Sequence, residues 1–358
     1  MVEDKVFAGC VKALKEGEEL SREQWRVLLE GRTRERQDWL AREASAVRDR
    51  VYGKRVFIRG LIEFTNYCKN NCYYCGIRRG NSCVKRFRLT EEEIFSCCRM
   101  GYDLGFRTFV LQGGEDLYFT VDRLEKLVRG IKEEFPQCAL TLSVGEMGRE
   151  DYRRLREAGA DRYLLRHETA NRKHYARLHP PELSLGHRME CLMSLKELGF
   201  QTGAGFMVGS PGQTAENLID DLLFLAEFQP EMVGIGPFIP HKDTPFGDKA
   251  EGDVRLTLYL LSLVRLLLPY VLLPATTALG TAANRGREAG ICAGANVVMP
   301  NLSPKRAREN YQLYDNKLFT GKEAAEGLEA LKESLGALGY LVAVDRGDYC
   351  KSIESFKS

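Results

Sequence analysis

From about residue 55 onward, short apolar runs alternate with longer amphipathic stretches, and few folds accommodate such an alternation. The gaps between consecutive runs are long enough for a helix and two loops, which is the pattern of βα units. Eight such units favour an α/β fold of the (βα)8 TIM-barrel type. A doubly wound open sheet is the alternative, because periodicity does not reveal whether a sheet closes on itself. The predicted strands are Val56–Phe64, Arg107–Gln112, Ala139–Gly145, Arg162–Glu168, Gln201–Val208, Met232–Ile239, Val271–Ala278 and Ala295–Met299.

A weak internal repeat supports this division into βα units. The segments DLGFRTFVLQ, EAGADRYLLR, ELGFQTGAGF and EAGICAGANVV each read as a helix end, a glycine and an apolar run. A glycine in that place is typical of a helix C-cap, where the backbone takes a positive φ. The four predicted cap glycines are Gly105, Gly159, Gly199 and Gly290.

The two ends of the chain do not share the alternation. We predict that residues 1–54 form helices packed on the barrel, because Ser21 and Gln24 fit a capping box and helical periodicity follows. Thr90 and Glu93 fit a second capping box inside the barrel region. The barrel is predicted to span residues 55–315. Residues 316–358 form a C-terminal extension, with a helix and a short strand over Leu331–Ile353 packed on the outside.

Charge and hydropathy exclude several classes of protein. The 52 basic and 50 acidic side chains leave a net charge of +2, which does not suggest a dedicated nucleic-acid binder. The N-terminus has no apolar segment of the kind found in secretory signals. The longest apolar run, Leu256–Leu273, contains Arg265 and Pro269 and is too short and interrupted to span a bilayer. We therefore expect a cytoplasmic protein without membrane or nucleic-acid partners.

Three of the eleven cysteines lie in one short window, CKNNCYYC, directly after the first predicted strand. Cys68, Cys72 and Cys75 have the spacing C-x3-C-x2-C, and three thiolates so placed can hold a soft metal centre. A structural zinc site needs four ligands, and Cys83 or a distant histidine would have to be the fourth. A 4Fe–4S cluster held by three cysteines instead leaves one iron open to a further ligand.

The C-x3-C-x2-C spacing resembles the signature of the radical S-adenosylmethionine (SAM) superfamily. The resemblance implies one 4Fe–4S cluster on Cys68, Cys72 and Cys75, with SAM bound to its open iron. One electron from the cluster would cleave SAM to methionine and a 5′-deoxyadenosyl radical. Tyr74 matches the aromatic position beside the adenine of SAM. Gly113, Gly114 and Glu115 match the GGE motif that binds the methionine amino group.

Polar side chains mark the ends of several predicted strands, where a barrel carries its chemistry. In RYLLRHE, the alternation of strand side chains puts Arg162, Leu164, Arg166 and Glu168 on one face, which we expect to line the mouth of the barrel. An internal ion pair is the alternative for these charges. Thr276 and Thr277 follow the seventh predicted strand and Met299 ends the eighth, although packing explains each of them equally well.

Longer segments resemble the HydE-type maturases of FeFe-hydrogenase, in order from about residue 50 to 315. They include IEFTNYCKNNCYYCGIRR, VLQGGED, DRYLLRHETAN, PATTALGT, GANVVMPN and YQLY. The resemblance implies that Glu168 and Arg188 contact SAM. It also implies that Arg166, Thr276 and Thr277 line an anion-accepting substrate pocket. By the same resemblance, Met299 and Tyr311 contact SAM or substrate.

The resemblance implies a monomeric enzyme that helps to assemble the di-iron subsite of the hydrogenase H-cluster, including its dithiolate bridge. The substrate would be a small organometallic compound, an iron–carbonyl–cyanide–cysteine complex. A ferredoxin- or flavodoxin-type reductant and other hydrogenase maturases would be transient partners. Some members carry a second cluster on three cysteines after YQLY, and this stretch of the chain has no cysteine, so we predict a single cluster.

Three other interpretations compete with this one. Methylornithine synthase, a radical SAM amino-acid mutase, shares the barrel and is the main alternative, although RHETAN and PATTALGT favour the maturase. Biotin synthase needs cysteines on inner strands for a second cluster, and none of the predicted strands here has a cysteine in its middle. A zinc-stabilised binding or scaffold protein leaves the polar strand ends unexplained.

Overall fold

Three helices precede the first strand in the computed structural model, which describes residues 2–319 and 325–350. They are α1 (Val2–Glu16), α2 (Arg22–Glu30) and α3 (Arg34–Tyr52). Ser21 and Gln24 form the predicted capping box at the start of α2. These helices pack on the later helices α9 (Ala215–Phe228) and α10 (Val254–Leu267). The predicted helical start of the chain is confirmed, whereas the proposed boundaries of the three regions stay predictions.

Parallel strands in sequential order form the centre of the molecule. The order of the largest sheet is β2-β3-β4-β5-β6-β8, and a second sheet places β1 between β10 and β11. Every ladder is parallel, as expected when a helix follows each strand. The strands are β1 (Arg55–Ile58), β2 (Gly60–Thr65), β3 (Thr108–Gly113), β4 (Ala139–Ser143), β5 (Arg162–Leu164), β6 (Gln201–Ala204), β7 (Met207–Val208), β8 (Met232–Val233), β9 (Gly236–Pro237), β10 (Val297–Val298) and β11 (Leu341–Ala343).

The sheet is barrel-like, but ladders do not run around its whole circumference. Isolated bridges Met232↔Leu272 and Pro274↔Val297 connect β8 to β10, and β10 pairs with β1, which continues into β2. The strands follow in sequence without the reversal of order that defines a doubly wound sheet. The predicted parallel α/β fold is therefore confirmed, with the last neighbours joined by single bridges.

The remaining helices surround this sheet. Thr90 and Glu93 form the second predicted capping box, at the start of α4. Helix α10 contains much of the long apolar run and is mostly buried, as expected. No helix of the described residues is both long and apolar enough to cross a membrane. The helices not yet given are α4 (Glu91–Asp103), α5 (Val121–Glu134), α6 (Arg149–Glu157), α7 (Arg172–Leu178), α8 (Leu185–Glu197), α11 (Thr277–Ala282), α12 (Gly286–Cys292), α13 (Lys305–Asn310) and α14 (Leu328–Gly336).

The seventh predicted strand, Val271–Ala278, does not form. Only Leu272 and Pro274 make bridges there, and helix α11 begins at Thr277. Proline has no N–H to donate to a ladder, and the backbone from Thr277 onward is already helical. The prediction of a strand through Ala278 is therefore wrong.

The fourth predicted strand is shorter than expected and its charges divide between the two ends of the sheet. Strand β5 ends at Leu164, and Glu168 has φ 64, a left-handed conformation that breaks the alternation. Arg162 lies at the amino end of β5, where Asp348 binds it, and not at the mouth. The internal ion pair that we considered as the alternative is correct for Arg162.

Three of the four predicted helix caps are confirmed. Gly105, Gly159 and Gly199 have φ values of 93, 113 and 79. Gly290 instead lies inside α12, and Gly294, with φ 103, follows the end of that helix. The sequence EAGICAG contains two candidate glycines, and the helix extends to the second.

The C-terminal segment closes the amino end of the sheet. Helix α14 leads to β11, which pairs with β1, so the predicted helix and strand are found in the described part of Leu331–Ile353. The segment does not lie wholly outside, because Arg346 and Asp348 reach Asp161 and Arg162. We call these four residues the floor; residues 351–353 of that prediction lie outside the described residues.

Candidate functional site

The cysteine loop, residues 66–81, follows β2 and is held by backbone contacts from three directions. The Lys69 N–H donates to the Glu115 carbonyl at 2.9 Å and the Tyr73 N–H to the Leu178 carbonyl at 3.0 Å. The Gly76 N–H donates to the Leu313 carbonyl at 2.8 Å. The loop is therefore fixed against the segment after β3, the last residue of α7 and the segment after α13.

The Arg86 guanidinium forms hydrogen bonds to both ends of the same loop. It donates to the carbonyl oxygens of Asn66, Ile77, Arg78 and Asn81. Its hydrogen bonds thus span the cysteine loop from its first residue to its last. These contacts hold the backbone that carries Cys68, Cys72 and Cys75.

Burial controls the protonation of the three cysteines. It raises the pKa of Cys68, raises that of Cys72 well above its usual range, and raises that of Cys75 to about 12. Neutral thiols are poor ligands and poor nucleophiles, so binding of a metal centre must displace their protons. The arrangement favours a strongly binding soft metal over reversible thiol chemistry.

The spacing of the ligands bears on what the loop can hold. Within residues 2–319 and 325–350, no three His, Cys, Asp or Glu side chains are close enough to share one metal ion. Ligands of a tetrahedral zinc ion must all lie about 2.3 Å or less from it. Three cysteines on a 4Fe–4S cluster each bind a different iron, so they are spread more widely. The three soft thiolates of the cysteine loop are the donor set that a 4Fe–4S cluster takes.

A cavity of about 310 Å³ opens next to the cysteine loop at the carboxyl ends of the strands, which we call the mouth. It brings together residues from all of the first seven βα units and from the segment after α13. The structure therefore unites most of the predicted site in one place. The predicted residues that line it are Cys68, Cys72, Tyr74, Cys75, Gly113, Gly114, Glu115, Arg166, Glu168, Arg188, Thr276 and Tyr311.

Two glycines allow the cysteine loop and the GGE segment to approach each other. A Cβ on Gly114 would lie 2.2 Å from the Tyr67 carbonyl oxygen and 2.8 Å from Cys68 Cβ. Gly145, with φ 90, leaves the space that Glu115 occupies, because a Cβ there would lie 2.0 Å from Glu115 Cγ. Gly145 was not predicted, although its place at the end of the third predicted strand was a signal.

Charged groups at the mouth are close together without satisfying one another. Arg166 Nη2 lies 2.9 Å from Glu168 Oε2, yet neither atom makes an aligned hydrogen bond. Glu115 Oε2 is likewise buried without a hydrogen bond, although Lys69 Nζ lies 3.1 Å away. Unsatisfied buried polar atoms are costly, so their collection in one cavity indicates a polar ligand.

Arg188 is buried at the edge of the mouth and braces it. Its Nε donates to Glu146 Oε1 at 2.5 Å and its Nη1 to the Arg166 carbonyl at 2.9 Å. Burial opposes the charge of Arg188, but Tyr175, Glu146 and Glu115 more than compensate and raise its pKa well above the usual range. A fixed positive charge therefore stands beside the cavity.

The two predicted threonines separate in the structure. Thr276 is the N-cap of α11, but its side chain makes no capping hydrogen bond, and its buried Oγ1 is unsatisfied in the cavity wall. Thr277 begins α11 and is not among the residues lining the cavity. Met299 is not there either, and packs against a cluster that contains Phe57 and Leu272.

The segment after α13 closes one side of the cavity through a buried ion pair that we did not predict. Lys317 Nζ binds Glu63 Oε1 at 2.5 Å and the Tyr311 carbonyl at 3.0 Å. Asn301 Nδ2 donates to Glu63 Oε2 at 2.8 Å. Glu63 lies among apolar residues in the first predicted strand, which is β2 in the structure, and this position was a signal that it has a buried partner. The pair holds Tyr311 against the mouth.

Tyr74 contacts a histidine that the sequence did not single out. Its hydroxyl lies 3.2 Å from His179 Nε2, and burial lowers the pKa of His179 to about 3. The imidazole is therefore neutral. His179 Nδ1 lies 3.0 Å from the Tyr175 carbonyl, which fixes the proton on that nitrogen and leaves Nε2 to accept from Tyr74.

Comparison with known proteins agrees with this geometry. A family model described as the radical SAM superfamily matches residues 62–225. The chain is 48% identical over 296 residues to the [FeFe] hydrogenase maturase subunit HydE of Thermotoga maritima, which covers 83% of this chain and 84% of that protein. It is 32% identical over 305 residues to the 3-methylornithine synthase of Methanosarcina barkeri, with 85% of each chain covered.

Solved structures show the same architecture. The methylornithine synthase PylB superposes with a TM-score of 0.81 and 28% identity, covering 97% of this chain and 99% of that one. The maturase HydG from Carboxydothermus hydrogenoformans has a TM-score of 0.77, with 21% identity and 98% and 81% of the two chains covered. The second likeness shows a shared fold.

Proposed function

This chain belongs to the radical SAM superfamily, and from that membership we propose that it is a HydE-type maturase that acts in assembly of the FeFe-hydrogenase H-cluster. The observation that carries the proposal is the cavity itself. It combines the three-cysteine loop with buried, unsatisfied atoms of Glu115, Arg166, Glu168 and Thr276. The 48% identity to the Thermotoga HydE supports the maturase over other members of the superfamily.

The residues present fit the cofactors that this function requires. Cys68, Cys72 and Cys75 would hold one 4Fe–4S cluster, since they supply three soft thiolates from one short loop. SAM would occupy the adjoining cavity. When both are bound, one electron from the cluster cleaves SAM to methionine and a 5′-deoxyadenosyl radical.

The chain's own side chains would orient SAM. Gly113, Gly114 and Glu115 would receive the methionine amino group, with the Glu115 carboxylate accepting from it. Arg188 would place its fixed positive charge near the methionine carboxylate. Glu168 would accept from the ribose or amino end, and Tyr74 would lie against the adenine. The unsatisfied oxygens of Glu115 and Glu168 support these roles.

The substrate would lie deeper in the cavity beside Arg166, Thr276 and Tyr311. We assign to this pocket a small anionic organometallic compound such as an iron–carbonyl–cyanide–cysteine complex. Thr277 and Met299 stay weaker assignments, because they do not line the cavity. A low-potential reductant and other hydrogenase maturases would be transient partners of a cytoplasmic, monomeric enzyme.

Methylornithine synthase activity is the second candidate. The PylB structure superposes with a TM-score of 0.81, and the Methanosarcina enzyme is 32% identical over a similar length. The unsatisfied Arg166 and Glu168 suit an amino-acid substrate as well as an anion. The two candidates differ in substrate and share the SAM site.

Iron analysis and SAM cleavage together test the proposal. After anaerobic reconstitution we expect about four irons per chain and release of 5′-deoxyadenosine under reduction. Cys68→Ala, Cys72→Ala or Cys75→Ala should abolish the release, whereas Cys83→Ala, a matched change at an exposed cysteine, should not. Bound zinc, or cleavage that survives loss of a loop cysteine, would refute the cluster assignment. Conversion of lysine to methylornithine would favour the second candidate.

A further inference from the structure

The surface around the cysteine loop has a charge balance unlike that of the rest of the chain. Residues 64–90 contain six basic side chains and no acidic one, although the whole chain has 52 basic and 50 acidic residues. Of the six, Lys69, Arg79, Lys85 and Arg88 are exposed. A basic face of this kind attracts acidic partners and speeds their encounter.

Aromatic side chains interleave with this charge. Arg88 Cζ lies 3.8 Å from the centre of the Tyr67 ring and 4.8 Å from that of Tyr118, and Arg123 Cζ lies 3.8 Å from Tyr118 on its other side. Leu117, beside this stack, is 76% exposed. Tyrosine and arginine side chains are the types most enriched among residues that dominate binding energy at protein interfaces.

Acidic residues nearby neutralise only part of the face. Asp116 binds Arg88 at 2.7 and 2.8 Å, Glu115 lies 3.1 Å from Lys69, and Glu182 lies 3.8 Å from Arg79. With Arg123 there are seven basic groups against these three carboxylates. The next acidic residues, Glu91, Glu92 and Glu93, pair with Lys126, Arg99 and Arg306 outside the face, so a positive excess remains. The ion pair of Arg79 is exposed and weak, which leaves this cation available to a partner.

This face also lies next to the cysteine loop. Tyr67 is 36% exposed and is covalently joined to Cys68, and Arg86 beneath it donates to the Asn66 carbonyl. Transfer of an electron through protein slows steeply with distance, so a donor must dock close to the cysteines. The basic face, the aromatic stack and the cysteine loop coincide.

We propose that the face formed by residues 67–88, Leu117, Tyr118 and Arg123 docks an acidic one-electron donor protein with an iron–sulfur or flavin centre. This inference rests on the proposed SAM-cleaving function. In the exchange the donor is oxidised by one electron and the cluster is reduced by one. That electron is then consumed in breaking the sulfur–carbon bond of SAM.

Charge reversal at the edge of the face tests the proposal without touching the cavity. The variant Arg79→Glu/Lys85→Glu changes two exposed side chains that do not line the cavity. The matched control, Lys12→Glu/Lys332→Glu, makes the same change of charge on α1 and α14. The probe is a bacterial flavodoxin, and its binding to reconstituted protein is measured by calorimetry at low and high salt.

We expect the Arg79/Lys85 variant to bind flavodoxin roughly tenfold more weakly at low salt, with a smaller dependence on salt, while the control binds normally. SAM cleavage should slow with flavodoxin as donor and stay unchanged with dithionite. Equal binding by the variant and the wild type would overturn the proposal, as would equal loss in the control. Binding of RNA or anionic vesicles in place of flavodoxin would overturn it too. Absence of cleavage by the wild type with dithionite would instead refute the proposed function.

Discussion

The charged side chains at the two ends of the barrel-like sheet differ in whether they form aligned hydrogen bonds with one another. At the floor, Asp348 binds Arg162 at 2.6 Å and Asp161 binds Arg346 at 2.9 Å, each in aligned hydrogen bonds. At the mouth, Arg166 and Glu168 lie 2.9 Å apart but leave their facing atoms without hydrogen bonds. Since an unsatisfied buried group costs free energy, the difference separates charges that hold the fold from charges that await a ligand.

The largest expected effect is at the floor, with Asp348→Asn. The Arg162 guanidinium is fully buried, so loss of its carboxylate partner leaves a buried charge and should lower the free energy of unfolding by about 3 kcal/mol. Urea unfolding measures this loss. SAM cleavage per folded molecule should not change, because the floor lies at the opposite end from the cavity.

The pH dependence of Asp348→Asn follows from the pKa of Asp348. Despite burial, the charge of Arg162 and hydrogen bonds from Arg346, Arg162 and Gln201 lower that pKa. A lowered carboxyl pKa gives stability that is present above the usual carboxyl range and is lost as the pH falls. The variant and the wild type should therefore converge in stability in acid. Asp345→Asn, which breaks an exposed pair with Arg55, is the control and should cost under about 1 kcal/mol. An equal loss of stability in Asp348→Asn and Asp345→Asn would contradict a special role for the buried pair at the floor.

At the mouth, the substitution Glu168→Gln should reduce ligand binding and leave stability nearly unchanged, which is the opposite of the effect at the floor. We expect the affinity for SAM to fall roughly tenfold or more, because a hydrogen bond to a charged acceptor is lost. The free energy of unfolding should change little, since Glu168 makes no aligned hydrogen bond through Oε2. Calorimetric titration of SAM into wild-type and variant protein of equal iron content measures the change in affinity. Glu190→Gln, at an exposed position, is the control. Retained affinity for SAM would exclude Glu168 from the SAM site.

The smallest effect should come from Asp221→Asn, behind the wall of the mouth. Burial raises the pKa of Asp221 well above its usual range and lowers that of His167, 3.3 Å away, to about 3. A protonated carboxyl and asparagine have similar shape and charge, so in acid, where the carboxyl is protonated in both the folded and the unfolded chain, stability should change by less than about 1 kcal/mol. Asp221→Leu should cost about 1–3 kcal/mol, because it leaves the Ala170 N–H without its acceptor.

Asp221 should also differ from Asp348 in the direction of its pH dependence. A raised carboxyl pKa gives stability that is complete below the usual carboxyl range and is lost as the pH rises from that range towards the raised pKa. Asparagine does not titrate, so Asp221→Asn should gain stability relative to the wild type as the pH rises. Urea unfolding between mildly acidic and neutral pH measures this. A loss as large as that of Asp348→Asn would show that Asp221 is charged.

Local sequence was sufficient to predict the cysteine loop, the GGE segment and the capping boxes. Each of these depends on residues close together in the chain, such as Thr90 and Glu93. Strand alternation was less reliable. It placed Arg162 and Arg166 on one face of the strand. It did not reveal that Arg162 lies at the amino end of the sheet, because its partner Asp348 is far away in sequence.

Other features depended on tertiary structure and could not be read from local patterns. The left-handed backbone of Glu168 depends on hydrogen bonds with Gly205 and Met207, which come from the next βα unit. The buried pair of Glu63 and Lys317 joins β2 to a segment more than 250 residues later. The packing of Met299 against the cluster that contains Phe57 and Leu272 is also tertiary.

The position of Asp348 in the chain has a consequence for the order of synthesis. All the strands of the sheet leave the ribosome before Asp348 does, so Arg162 spends that interval without its carboxylate partner. In chain order, the cysteine loop and the lining of the mouth therefore precede the carboxylate that binds Arg162 at the opposite end.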